Sequence, residues 1–259
     1  MGCVKLHILD KQYKRTELKI SYTNKELNFN NSVQNERKGT LIRYVDPNGM
    51  DWYEYDEEDE DGNEITHIKW TDYKNQDEMN KNNVFGKYLG KAVVTFDGSR
   101  NEKLGEGGNL FGKGAVLATA TVYGTKGADD VATYGAYTMS SDPSEFGVVA
   151  DGEYTVNRLS LDERRGPYNS DLVIENRDAK IPAMNGFNPA YPFRDPGYLN
   201  GVFIHRSNNN GWAGKSWDNK GQVWNAVSRG CLLISPRDWN AFSRQLQSVN
   251  SFHLKLNRK

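Results

Sequence analysis

The chain has 259 residues, with 33 Lys and Arg against 34 Asp and Glu. That length suits one large or two small domains with room for a core, and the near-neutral charge gives no reason to expect nucleic acid or an anionic membrane as a partner. Modest hydrophobic content beside 25 Gly, 14 Tyr and 6 Trp favours a β-rich, loop-rich fold over a helical one, and no apolar run approaches the ~18 residues of a spanning helix.

The first residues, Met1 to Leu6, have no apolar stretch after the Met and do not read as a signal peptide. Leu6 stands where N-myristoylation would ask for Ser or Thr. Two cysteines, Cys3 and Cys231, make no disulfide framework and leave the compartment open. Leu18 to Tyr22 alternates as a short strand, and Asn24 to Gly39 is polar loop. Asp46-Pro47-Asn48-Gly49 is a turn, with Pro presetting one φ and Gly free to take a positive one.

Glu54 to Asp61 is almost wholly acidic and ends in Gly62. An EF-hand reading fails because Ile68 stands at the closing acidic position, so residues 51–85 are expected to be an acidic and polar linker, with a short helix or turn in 72–83. From Gly86 the texture changes. Tyr88 to Phe96, Ala115 to Tyr123 and Ala136 to Met139 read as strands. Val148 to Val156 reads as strand, Asp-Gly turn, strand. The glycines in 105–108 lack the Lys-Ser/Thr of a phosphate loop and read as a hairpin loop. Residues 158–200 hold five prolines, several arginines and the rings of Tyr168, Phe187, Tyr191, Phe193 and Tyr198. A long irregular span of that kind is either a cleft lining or an aromatic-stitched surface loop.

The stretch that carries chemistry comes late. Val202 to Ile204 reads as a buried strand delivering His205. Ser228-Arg229-Gly230 reads as a tight turn delivering Cys231 at the mouth of the strand Leu232 to Ile234. A thiol and an imidazole at strand ends suit a cysteine nucleophile with a general base, and Gly230 would let backbone N–H groups approach an oxyanion. The plainer alternative is that Cys231 is a small buried hydrophobe and His205 a satisfied core histidine. Trp212, Trp217 and Trp224 crowd the span between them, either as an apolar wall over a substrate, with Trp212 and Trp224 as contacts, or as anchors. Pro236 to Leu246 reads as a helix capped by Ser235, with Trp239, Phe242 and Leu246 on one face. Phe252 to Leu256 closes the chain as a strand.

Ile204-His205, a gap, then Ser228-Arg229-Gly230-Cys231 and an apolar pair resembles the signature of the YkuD-type L,D-transpeptidase catalytic domain, with a looser likeness in strand pattern back to about Gly86. The resemblance implies a mainly β fold, a YkuD-like β-sandwich or mixed sheet with one C-terminal helix and long loops, over 86–259. It implies Cys231 as nucleophile, His205 as base and the Arg206 carbonyl as the group orienting the histidine. Ser228 and Gly230 match the family's turn. The chain departs from the family pattern at Arg229, usually a second histidine, and at Leu233, usually Asn or Arg. Arg229 can hold a substrate carboxylate but cannot shuttle protons.

The activity implied is a cysteine-dependent L,D-transpeptidase or L,D-carboxypeptidase acting on peptidoglycan stem peptides, with Ser228, Arg229 and Gly230 against the substrate and no metal or organic cofactor required. The competing expectation is a non-catalytic wall-binding module with a degenerate centre. Tyr44-Val45-Asp46-Pro47-Asn48-Gly49 also resembles the junction at which Rhs-type polymorphic toxins end their shell and begin a variable C-terminal domain. That resemblance implies that 1–50 is a leader remnant. It implies an antibacterial effector that reaches the cell envelope, or is secreted, through its parent's route, and a matching immunity protein as partner.

Overall fold

The computed structural model describes residues 2–9, 15–22, 50–102, 117–193, 195–207 and 228–259. The chain divides into two units, 1–47 and 48–259. In the first, β1 (Gly2–Leu9) and β2 (Arg15–Tyr22) pair antiparallel from Gly2 opposite Tyr22 to Leu9 opposite Arg15. The strand expected at Leu18 to Tyr22 is the second part of β2. The junction-like turn at 44–49 and the loops expected at 24–39 and 104–114 lie outside the described residues.

The second unit opens with β3 (Asp51–Glu58), β4 (Glu64–Thr71), α1 (Gln76–Lys81) and β5 (Lys87–Gly90), the strands ordered β4-β3-β5. This corrects the expectation of a linker over 51–85. The acidic run is half of a hairpin, and its turn is organised by Asp59, whose Oδ1 accepts from the N–H groups of Asp61 and Asn63 at 2.9 and 2.7 Å. The sequence signal was diluted because β3 buries Trp52 and Glu54 among charged neighbours. Trp52 packs edge-on to Trp70 and Tyr123, with ring centroids 4.9 and 5.1 Å away, and donates from Nε1 to the Gly124 carbonyl at 2.7 Å. Asn75 caps α1 by accepting from the Glu78 N–H at 2.9 Å.

The remaining long strands are β6 (Val93–Gly98), β7 (Ala118–Tyr123), β8 (Val131–Tyr137), β9 (Gly152–Arg158), β10 (Leu172–Ile174), β13 (Phe203–Arg206), β14 (Leu232–Ile234) and β15 (Ser251–Arg258). The two-residue strands β11 (Ile181–Pro182) and β12 (Tyr198–Leu199) pair with each other. The fold is mainly β, as the composition implies. Its largest sheet is of mixed direction and closes as a barrel in the order β10-β13-β14-β8-β7-β6-β15-β9. Two neighbouring pairs run parallel, β13 with β14 and β15 with β6. Alternation sorts the side chains. Val94, Phe96, Ala118, Ala120, Val156, Leu172, Ile204, Leu232, Ile234 and Leu254 form one interior cluster, and eight strands leave an interior that side chains of this size can fill.

Three local expectations need correction. Tyr88 to Phe96 is two strands, because Gly90 turns the backbone at φ +96° between β5 and β6. Val148 to Val156 is not a hairpin: Val149 makes only an isolated bridge to Ala183, and the Asp151-Gly152 pair leads straight into β9. The helix α2 (Trp239–Gln245) starts later than Pro236. Ser235 heads a turn whose carbonyl accepts from Asp238 and Trp239, while Asp238 Oδ2 accepts from the Gly135 N–H at 2.9 Å, so the capping residue serves β8 instead of its own helix. Phe242 of α2 and Leu246, which caps its end, still join the interior cluster, as their shared face requires.

Candidate functional site

The site follows from strand register. Ile204 lies opposite Leu232 and His205 opposite Leu233 in the parallel β13/β14 pair. Ile204 and Leu232 point into the barrel. Their neighbours therefore point outward, since successive side chains alternate. Cys231 comes one residue before Leu232 and so stands opposite Phe203, whose N–H lies 3.4 Å from the Cys231 Sγ. Phe203 and His205 are two residues apart on one strand. His205 and Cys231 thus lie on the outer face of the barrel wall, two residues apart along the direction of the parallel strands.

The histidine is held firmly. Its Nδ1 lies 2.8 Å from the Arg206 carbonyl oxygen. A carbonyl can only accept, so Nδ1 carries the hydrogen and Nε2 keeps the lone pair that a general base needs. This is the orienting contact expected of Arg206. The ring of Tyr168 stacks over His205 at 5.9 Å between centroids, and the Arg206 guanidinium lies over the other ring of the trio, Tyr168, at 5.3 Å. Tyr168 and Asn169 adopt successive left-handed conformations, φ 52° and 58°, which costs about 1 kcal/mol or more per residue and persists only where surroundings impose it. The next residue, Ser170, anchors this turn to β13 by donating from Oγ to the Ile204 carbonyl. Burial pulls the His205 pKa down to about 4, against the opposing pull of the Arg206 carbonyl. The ring is therefore neutral at physiological pH.

Cys231 is a free thiol, partly exposed as a residue, with Leu159, Val173 and Phe203 packed around its sulfur. Burial pushes the thiol up to about 11, with the Phe203 N–H acting in the other direction. Burial thus disfavours the charged form of both groups, which works against a standing thiolate–imidazolium pair. The polar approach expected to favour a thiolate from Ser228 and Arg229 is outweighed by this apolar nest.

The turn before the thiol is braced from both sides. The Ser228 N–H donates to the Ser141 Oγ at 2.7 Å, and the Ser141 N–H donates to the Ser228 carbonyl at 2.9 Å. The Ser228 hydroxyl donates to the Cys231 carbonyl at 2.7 Å and accepts from the Gly230 N–H at 3.1 Å. In this arrangement Ser228 and Gly230 are buried and occupied with the turn, and the Gly230 N–H is not aimed at an oxyanion. Gly230 has φ +126°, and a Cβ there would lie 2.4 Å from Leu199 Cδ2, so the position requires glycine. Arg229 is exposed, its guanidinium 5.6 Å from the Phe146 ring centre.

Arg229 opens onto a groove of about 630 Å³ lined also by Asp142, Glu145, Phe146, Pro189 and Tyr191. Neither Cys231 nor His205 lines that groove; Arg229 joins the two places through Gly230. Ser141, Phe146 and Tyr168 escaped the sequence reading as parts of the site, although Tyr168 was visible as one of several rings in an irregular span. Only the closure of the barrel brings 141–146 beside 228–230. Trp212 and Trp224, expected as substrate contacts, lie outside the described residues. Leu233, at the second departure from the family pattern, is fully buried with Tyr137, Met139 and Val148.

Compared with known proteins, the chain matches no family model, no curated protein and no solved structure.

Proposed function

We propose that the protein is a cysteine-dependent L,D-transpeptidase or L,D-carboxypeptidase acting on peptidoglycan stem peptides. The observation that carries the reading is the placement of His205 and Cys231 on one face of the parallel β13/β14 pair, with the histidine's Nδ1 hydrogen committed to the Arg206 carbonyl. In the reaction, the Sγ of Cys231 attacks the carbonyl that precedes the terminal D-amino acid, and His205 Nε2 takes the thiol proton. The C–N bond then breaks, the proton passes to the leaving amine, and a thioester remains on Cys231. An amine releases the acyl group as a new peptide bond, or water releases it as an acid, and the thiol proton is restored from the attacking group. Closure of apolar residues around the sulfur would slow loss of the thioester to bulk water.

The Rhs-like residues 44–49 support use as an antibacterial effector delivered to the cell envelope by a parent protein and restrained in the producer by an immunity protein. The experiment is intact-protein mass spectrometry after incubation with stem tetrapeptide. An acyl adduct is expected on the unaltered chain and absent in Cys231→Ala. A second reading, a wall-binding module without catalysis, is favoured by one observation, the raised thiol pKa. Absence of any adduct, with retained binding of the tetrapeptide, would decide for it.

A further inference from the structure

Phe203 and His205 point outward from a closed barrel, yet they are only 3 and 2% exposed. An outward side chain on a barrel wall is open to water unless something lies over it. Among the described residues the cover is the connection between β9 and β10. Gly166 lies so close to Phe203 that a Cβ added to it would stand 2.5 Å from the ring's Cδ1. The Tyr168 ring stacks on His205. Leu159, at the start of the connection, joins Val173 and Phe203 in the cluster against which Cys231 packs.

The connection is longer than its strands require. Arg158 stands opposite Leu172, and the Leu159 N–H donates to the Asp171 carbonyl at 2.7 Å. Two residues can close a hairpin of that kind. Residues 160–170 stand there instead and turn back across β13, the strand beside β10. A loop of that length inside a compact fold usually does more than join its strands.

Its hold is slight. Between buried Leu159 and buried Ser170, residues 160–164 and 167–169 are exposed. The Ser170 hydroxyl on the Ile204 carbonyl and the Arg177 guanidinium on the Arg164 carbonyl tie it to its surroundings. The positive φ angles of Tyr168 and Asn169 work against the closed form. A segment with little buried surface and a strained turn opens locally while the rest of the structure stays folded.

We propose that residues 160–170 are an autoinhibitory strap: closed, it denies His205 and the Phe203 side of Cys231 to a ligand, and the centre reacts through the minor population in which the strap lifts. The proposal rests on the reading of His205 and Cys231 as the reacting groups and adds the regulation of that site. Whatever lifts the strap raises the rate.

The test uses Gly166→Ala in the full chain. Gly166 has φ −80°, which alanine adopts freely, so the added methyl acts as a wedge against the Phe203 ring. The measurement is carbethoxylation of His205 by diethylpyrocarbonate near pH 7.5, mapped by peptide mass spectrometry, with His67 on β4 as the reference. Labelling of His205 is expected to rise about 10-fold or more in Gly166→Ala, and further in a chain whose residues 160–170 are replaced by Asn-Gly, with His67 unchanged. Acyl-adduct formation with stem tetrapeptide should rise with it. Circular dichroism melting verifies folding, and if the replacement chain does not fold, Gly166→Ala decides alone. Equal His205 labelling in the variants and the unaltered chain overturns the proposal. So does faster labelling with slower adduct formation, which would make the segment a substrate contact. Faster labelling with no adduct in any chain upholds the strap as the cover of His205 and removes the enzymatic reading. An adduct on the unaltered chain with labelling unmoved by the variants upholds the enzymatic reading and removes the strap.

Discussion

Two histidines sit on different strands of the barrel wall, and their surroundings differ in kind. His205, on β13, is buried beneath the Tyr168 ring, and among the described residues its ring's polar partner is the uncharged Arg206 carbonyl. His253, on β15, lies in a lattice of charge where the barrel meets the three-stranded sheet. Its Nε2 is 3.2 Å from a Glu153 carboxylate oxygen, Lys87 and Lys255 pair with Glu153 and Glu54, and the two lysines also reach across at 3.9 and 4.0 Å. Burial lowers both pKa values, but at His253 the charge of Glu153 opposes it first, while at His205 only a backbone carbonyl does. The lesson is that the barrel keeps one imidazole neutral and oriented by a backbone carbonyl, and sets the other beside charged side chains at a seam between two sheets.

The largest effects should separate these roles in catalysis. Cys231→Ala is expected to abolish adduct formation, and His205→Gln to reduce its rate by about 10²–10⁴-fold, both measured by single-turnover mass spectrometry with stem tetrapeptide. His253→Gln should change that rate less than about threefold, because nothing ties it to the thiol. A comparable loss in His253→Gln would break the comparison.

Stability against pH sharpens it. His205 is held at about 4 in the folded chain, against an ordinary 6.5. Its neutral burial therefore contributes stability that is full above about pH 6.5 and lost as pH falls toward 4. The window is worth on the order of 3 kcal/mol. Urea melts at a series of pH values should show this acid loss in the parent chain and a flatter profile in His205→Gln. The thiol runs in the opposite sense. With its folded pKa pushed from 9 to about 11, Cys231 should react slowly with iodoacetamide at pH 7–8 and accelerate up to about pH 11, measured in a Cys3→Ser background. A rate plateau near pH 8 would mean that the thiolate is formed far more readily than its apolar nest permits.

Backbone geometry sets a third scale. Gly230→Ala forces a Cβ onto Leu199 at a positive φ and should cost about 2–4 kcal/mol in thermal or urea denaturation. Smallest is Tyr168→Ala, which removes the ring over His205 at a cost of roughly 1 kcal/mol. It should also raise the histidine's pKa toward its ordinary value, visible as a shift of the acid limb of the adduct-formation profile.

Much of this was legible from residues alone. Val202 to Ile204 and Leu232 to Ile234 are unbroken apolar runs, so their strands and the delivery of His205 and Cys231 at their ends could be read directly. The Ser-Arg-Gly turn was legible because few residues tolerate the conformation that Gly230 adopts. Other elements were hidden by competing signals. The acidic character of 54–61 masked a strand whose burial depends on partners at β4, β5 and β15. Asp151-Gly152 carried a hairpin signal that the barrel overrides by pairing β9 with β15 and β10 instead. Ser235 carried a capping signal that was displaced when Asp238 bonded to β8.

The amino-acid order by itself therefore determined that the chain is mainly β and which two side chains carry the candidate chemistry, because alternation, apolar runs and turn residues are local properties. Only the tertiary structure decided that those two groups share one outer face and that burial disfavours the charged form of each. Register between distant strands, desolvation, and the meeting of 141–146 with 228–230 and of 166–170 with β13 depend on how the barrel closes, and no local stretch of residues encodes that.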